Sequence, residues 1–298
     1  MLETHEEMGM DRLKSIAVLT TFHKEGYDLY GKRFLESWCD KVDNKIALMV
    51  YAENCAPPVN EDHYFLYFSE MELTKLNEFK QRWKDDPKAN GIPPDDIKAR
   101  RPRDWHKKFK WDAVRFANKT YAVFEAARRW QKMRDGEWLC WLDADTYVHS
   151  PLTHEQLSEL LPNDKWLTYV GRGKGSQTWP ECGFYGMNIK HPTCQKFLEE
   201  FERYYDDANN GIFTLEEWHD SFVFGHLLNK FKAQDPNVLD YSAEMYLREA
   251  KTGGGGHPLI NGPLGKYFDH MKGGRKEKGK SERKDIMVNR TEAYWNEI

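Results

Sequence analysis

No stretch of this 298-residue chain approaches the roughly eighteen uninterrupted apolar residues that a membrane-crossing helix needs. A chain without a membrane span is therefore expected. The opening Met1 to Lys14 (MLETHEEMGMDRLK) is polar and lacks the apolar core of a secretory signal, so the expected location is the cytoplasm, the host's if the source is viral. Cysteine is scarce: the five residues Cys39, Cys55, Cys140, Cys182 and Cys194 are odd in number and widely spread, and none stand as CxxC. That excludes the usual zinc-knuckle and dithiol patterns and leaves reduced thiols as the expectation. Internal repeats are absent, and no shift of composition marks a domain boundary.

What is present is ample material for a core, with 40% apolar residues and 14% aromatics. Charge is unevenly placed. Lys98 to Lys119 holds nine basic residues against Asp104 and Asp112, a net of +7, and Lys266 to Lys284 holds eight against Asp269, Glu277 and Glu282, a net of +5. The whole chain is −4, so the remainder carries −16. Two positive segments in an acidic chain suggest convergence on an anion, a solvated basic loop being the alternative.

The hydrophobic pattern predicts alternating strands and helices. Ser15 to Phe22, Lys45 to Tyr51 and His63 to Phe68 have strand length and composition, and Tyr27 to Cys39 between the first two has helical spacing, giving a βαβ start. Helices are predicted over Glu70 to Lys84 and about His106 to Met133, with Lys110, Arg115 and Lys119 off the apolar stripe of the second. Glu137 to Leu142 (EWLCWL) reads as a buried strand. Trp166 to Val170 and Gly183 to Ile189 follow as strands, and Pro192 to Tyr205 and Leu215 to Phe231 as helices. From Lys251 the chain turns to glycine and lysine, including Gly253 to Gly256 and Lys272 to Lys280, and predicts a mobile arm with little core. The fold class expected is α/β, with a mixed, mainly parallel central sheet flanked by helices and a Gly/Lys-rich C-terminal loop. Residues 1–14 would be a polar N-terminal segment, 15–276 one domain with halves at 15–150 and 151–276, and 277–298 a basic tail with a short helix.

In CWLDADTYVH, Cys140 to His149, an apolar run ends on Asp143 and Asp145. Either the acids are solvated at a strand end or they face a cation. Ligands of parallel sheets bind beyond the carboxyl ends of strands, and a hard dication such as Mg²⁺ or Mn²⁺ needs only one or two carboxylates when phosphates supply further oxygens.

Asp143-Ala144-Asp145 after such a strand resembles the D-x-D motif of GT-A glycosyltransferases. His270-Met271-Lys272-Gly273-Gly274-Arg275-Lys276 is similar to the H-x-x-G-x-x-K motif of glycogenin-like and lipopolysaccharide galactosyltransferase-like members, although Glu277 and Lys278 stand where that pattern commonly continues with Pro-Trp. The resemblance implies a GT-A fold, a metal held by Asp143, Asp145 and His270, and a diphosphate bound near Ala144, Gly273 and Lys276. It further implies that Thr20, Thr21 and Phe22 hold base or ribose and that Arg115 contacts the donor sugar or the acids. Pro180 to Asn188 is similar to the strand passing close to sugar and acceptor, and Asp220, followed by Ser221 in place of the usual Gln, to the acid that orients the donor. Asp220 and Glu181 are the catalytic candidates.

The implied activity is transfer of a hexosyl or pentosyl group from a nucleotide-diphosphate sugar to a hydroxyl, with Mn²⁺ or Mg²⁺ as cofactor and retention favoured over inversion. For the acceptor, aromatics Trp105, Phe109 and Trp111 interleave with Arg100, Arg101, Arg103, Lys107 and Lys108, a composition compatible with a polyanion. Hydroxymethylated DNA, which some viral glycosyltransferases modify, is one candidate, and a phosphorylated glycan or lipid another. Two alternatives from other classes are a metal-dependent phosphoesterase using Asp143, Asp145, His219 and His270, and a non-catalytic nucleic-acid-binding protein.

Overall fold

The computed structural model describes residues 13–58, 60–176, 178–247 and 257–298. Residues 1–12 and the Gly253 to Gly256 run lie outside the described residues. The apolar runs become nine strands among them: β1 (Ile16–His23), β2 (Ala47–Glu53), β3 (Phe65–Ser69), β4 (Trp138–Leu142), β5 (Thr146–Val148), β6 (Leu167–Val170), β7 (Glu181–Asn188), β8 (Val238–Asp240) and β9 (Phe268–His270). Seven form one sheet in the order β3-β2-β1-β4-β7-β6-β8, and β5 and β9 form a separate antiparallel ribbon. Within the sheet only β7 runs against its neighbours, so the sheet is mixed and mainly parallel, as the alternating pattern predicts.

The central strands β1, β2, β4 and β7 are buried on both faces, which is why they read as continuous rather than alternating apolar runs. One face packs Ala17, Leu19 and Met49 against helices Thr74–Trp83, Ala113–Arg134, Pro192–Asp206 and Asp220–Lys232, with Phe197, Phe201 and Phe224 between them. The other packs Val18 and Val50 against Phe34 and Trp38 of helix Lys32–Lys41.

Helix boundaries follow local chemistry that periodicity misses. The helix predicted from His106 begins at Ala113 because the Asp112 side chain accepts from the Arg115 backbone N–H, and Lys108–Trp111 forms a separate 3-10 turn. Likewise His219 caps a helix that starts at Asp220 and not at Leu215.

The larger correction concerns the C-terminal stretch. Where a mobile arm with little core is predicted, residues 257–298 complete the second face of the sandwich: Leu259, Ile260, Leu264, Phe268 and Trp295 are all buried. The Trp295 indole N–H donates to Gly265 O at 2.8 Å, and Asp269, fully buried, accepts from the Ser281 backbone N–H at 2.8 Å and the Tyr294 hydroxyl at 2.7 Å. Scattered apolar residues among glycines and lysines have no period to detect, yet five of them suffice to close a core against an existing sheet.

Candidate active site

The chain leaves β1 in one direction to build β2 and β3, then returns to place β4 on the other side of β1. Such a switch point opens a crevice beyond the strand ends. Here it is a cleft of about 670 Å³, lined at one end by Thr21, Phe22, His23, Tyr51 and Glu53 from β1 and β2 and in the middle by Trp141, Asp143, Ala144 and Asp145. At the far end stand Arg172, Trp179, Glu181, His219, Asp220 and Ser221. Because β7 is antiparallel to β4, its first residues lie beside the last of β4, with Asp143 N–H donating to Gly183 O at 2.9 Å, and this carries Glu181 into the cleft.

The ribbon of β5 and β9 brings the decisive group. Thr146, directly after Asp145, pairs with His270, and Met271 N–H donates to Asp145 O at 2.9 Å. The His270 Nε2 therefore stands 3.1 Å from Asp145 Oδ1 and 3.5 Å from Asp143 Oδ2. One ligand atom from each of Asp143, Asp145 and His270 lies within 4.8 Å of the others. His270 is fully buried and Asp143 stays open to the cleft. Gly183 makes room for the imidazole: a Cβ there would lie 2.5 Å from His270 Cε1. Two hard carboxylates and an imidazole with an open side form a donor set suited to Mn²⁺ or Mg²⁺; the ring meets the carboxylates through Nε2, while the buried Nδ1 has no partner among the described residues.

Basic side chains crowd the same carboxylates. Lys119 Nζ is 3.1 Å from Asp143 and 2.7 Å from Asp220, over the Trp141 ring at 4.4 Å, while Lys276 Nζ is 2.8 Å from Asp145. Glu181 pairs with Lys272 and, at 3.2 Å, with Arg172. Burial pushes the carboxyl groups up, but it is outweighed by His270 and then Lys276 at Asp145, by Lys119 and then His270 at Asp143, and by Lys272 and Arg172 at Glu181, so all three are held below the usual carboxylate range. Burial alone would lower His270, whereas Asp145 and Asp143 raise it to about 9. Four carboxylates thus face four basic side chains and an imidazole among the described residues.

Most positions expected from the sequence meet here. Asp143, Ala144, Asp145, Glu181, Asp220, Arg115, Lys276, Thr21 and Phe22 line the cleft, and His270 adjoins it. Thr20 does not reach it; within β1, one residue short of the cleft lining, it is fully buried and its hydroxyl has no partner among the described residues. Gly273 lies outside the lining, with φ +57°, a conformation that favours glycine. His219 is not in the metal group: its Nε2 is 2.9 Å from Glu217 Oε2, and its ring packs against Trp179. Lys119, Lys272 and Arg172 were not expected as site residues. Lys119 follows Arg115 by four residues, so both lie on one helical face, and the sequence has no signal for which of them touches the acids.

The basic segments are largely neutralised. Arg100 pairs with Glu216, Arg101 with Asp104 and Glu217, Lys110 with Asp104 and Glu217, Arg275 with Asp285, and Lys278 with Glu282.

No protein-family model matches the chain, and no curated protein matches it. Among solved structures it is similar to the bifunctional glycosyltransferase WbbM in its apo form, at 12% identity and a TM-score of 0.43 over 76% of this chain and 38% of that one. It is also similar to mouse xyloside xylosyltransferase 1, apo form, at 9% identity and a TM-score of 0.39 over 75% of this chain and 83% of that one. The chain thus spans about two fifths of WbbM. At these values the function rests on the site itself. No helix among the described residues is long and apolar enough to cross a membrane.

Proposed function

We propose that the chain is a metal-dependent glycosyltransferase that moves a sugar from a nucleotide-diphosphate sugar to a hydroxyl acceptor. The observation that carries this reading is the joining of Asp143, Asp145 and His270 around one point, with Lys276 on Asp145, beyond the strand ends of a 670 Å³ cleft. The cleft's carboxylates are already matched by basic side chains, so a dication leaves it positive and in need of an anion such as a diphosphate. Mn²⁺ or Mg²⁺, when bound, supplies Lewis-acid stabilisation of the departing diphosphate.

The protein's own residues do the rest. Asp143, Asp145 and a neutral His270 would hold the ion, since a ligating imidazole must be deprotonated, and Lys276, 2.8 Å from Asp145, would add positive charge near the phosphates. Thr21, Phe22 and Tyr51 receive the base and ribose, with the buried Tyr51 hydroxyl free to pair. Asp220, held by Lys119, orients the sugar. In the transfer the acceptor oxygen bonds to the anomeric carbon, the bond to the diphosphate oxygen breaks, and the hydroxyl proton passes to that leaving oxygen. Glu181 is a weak base, because Lys272 and Arg172 stabilise its ionised form. With Asp220 also ion-paired, the retaining course is favoured over one that needs a dedicated base. A polyanionic acceptor, hydroxymethylated DNA among the candidates, fits the basic rim.

Calorimetry of UDP and GDP with and without Mn²⁺ tests the reading. Binding should require Mn²⁺ and be lost in Asp145→Asn. Equal binding without metal by both proteins would refute it, as would phosphate release from simple phosphate esters without a sugar donor.

A further inference from the structure

The turn 102–109, at the rim of the cleft, carries charge that the fold does not use. Its base is pinned: Asp104 accepts from Arg101 and, at 2.7 Å, from Lys110, and both cations also meet the buried Glu217. Gly91, at φ +89°, lets its chain pass close under Lys108, where a Cβ would come within 3.0 Å. Above this base Arg103, Lys107 and Lys108 are exposed and have no carboxylate partner among the described residues, and the same holds for Arg115 at the cleft mouth. Like charges gathered on a held turn repel one another, and an anion relieves that repulsion.

Aromatic rings stand among these cations. Trp105 and Phe109 are 40% and 43% exposed, although most large aromatics of this protein are buried. Phe109 lines the cleft, and beyond it Phe116 and Trp179 continue an aromatic wall, each in contact with the His219 ring. The wall ends at Asp220 and Ser221, beside the proposed transfer point. Cations spaced between open rings match one kind of ligand in both respects: a chain whose backbone is anionic and whose units have free π-faces. A duplex hides its base faces, and an acidic glycan has no aromatic face.

We propose that Arg103, Trp105, Lys107, Lys108 and Phe109, with Arg115, seat a single-stranded polynucleotide and lead one hydroxyl-bearing base along the aromatic wall into the cleft. The term acceptor for this ligand rests on the transferase reading; the surface does not.

Fluorescence anisotropy of the full chain with a labelled mixed-sequence single-stranded DNA 20-mer, from 50 to 200 mM salt, tests it. Four cations on phosphates predict a slope of about −2.8 in log K against log salt, or about 50-fold weaker binding across that range. Lys107→Ala/Lys108→Ala should reduce the slope to about −1.4. Trp105→Ala/Phe109→Ala should weaken binding about tenfold or more at every salt with the slope unchanged. Unaltered melting temperatures exclude misfolding, since all four side chains are exposed, and Mn²⁺-UDP binding should be unaltered in Lys107→Ala/Lys108→Ala and in Trp105→Ala alone, whose side chains lie outside the cleft lining. Absence of binding, a flat salt response, or a sulfated glycan that competes fully while the aromatic variants bind as wild type would each overturn the proposal. Oligonucleotide binding with this slope by a chain that binds neither UDP nor GDP with Mn²⁺ would uphold the surface and sink the transferase reading.

Discussion

Replacing Gly183 by alanine adds one methyl group to the centre of the sheet, and the structure says where it would go. The new Cβ would sit 2.5 Å from His270 Cε1 and 2.8 Å from Nδ1. Ordinary contact needs about 3.4 Å or more, so the ring must retreat by roughly 0.9 Å. It is fully buried, with the His257 ring edge-on at 5.5 Å, and the β5–β9 pairing fixes its backbone, so room to retreat is scarce. Overpacking of this kind costs about 1–3 kcal/mol. The imidazole would also leave its position 3.1 Å from Asp145. Disturbing a ligand's orientation typically costs about 10–100-fold in metal affinity. The expected outcome is therefore a folded protein with modestly lowered stability and Mn²⁺-dependent UDP affinity reduced by one to two orders of magnitude, measured by calorimetry and chemical denaturation. Wild-type affinity together with wild-type stability in Gly183→Ala would refute the placement of His270 against β7.

Lys119→Met removes the cation between Asp143 and Asp220, leaving the Asp220 side chain, 8% exposed, without its charge partner. Breaking a buried pair from one side costs about 3–5 kcal/mol, and a loss below about 1 kcal/mol in denaturant unfolding would show that the two acids do not depend on it. Trp295→Ala should cost a similar ~3–5 kcal/mol, with the loss of the 2.8 Å bond to Gly265 included; an unchanged midpoint would contradict a packed C-terminal segment. His149 supplies a pH signature. Burial, only partly offset by its bond to Gly265 O, lowers it from 6.5 to about 4. The folded state therefore binds fewer protons than the unfolded state between those values, and stability is complete above pH 6.5 and falls as pH drops toward about 4. The wild type should lose up to about 3 kcal/mol relative to His149→Gln over that window, and parallel stability curves for the two would rule out the effect.

How legible this was in the sequence differs from residue to residue. Asp143 and Asp145 stood out because charge directly after EWLCWL is locally anomalous, and the strand there is as expected. His270 was reachable only through motif spacing. β9, which positions it, is three residues long, too short for any period to appear. Lys119 looked like any cation on a helix face. The two basic segments read as large positive patches because their neutralising partners, Glu216, Glu217, Glu181 and Asp285, lie elsewhere along the chain or were hidden among further lysines.

By itself the sequence determined the alternating α/β order, the buried strands and the acid pair at the end of β4, since each depends on residues within a few positions of one another. Only the tertiary structure decided that the glycine- and lysine-rich end folds back as core, that Lys119 rather than Arg115 holds the acids, and that an imidazole 125 positions beyond Asp145 stands beside it. The physical reason is that these outcomes depend on long-range pairing and on volume left over between packed layers, which no local pattern of residues records.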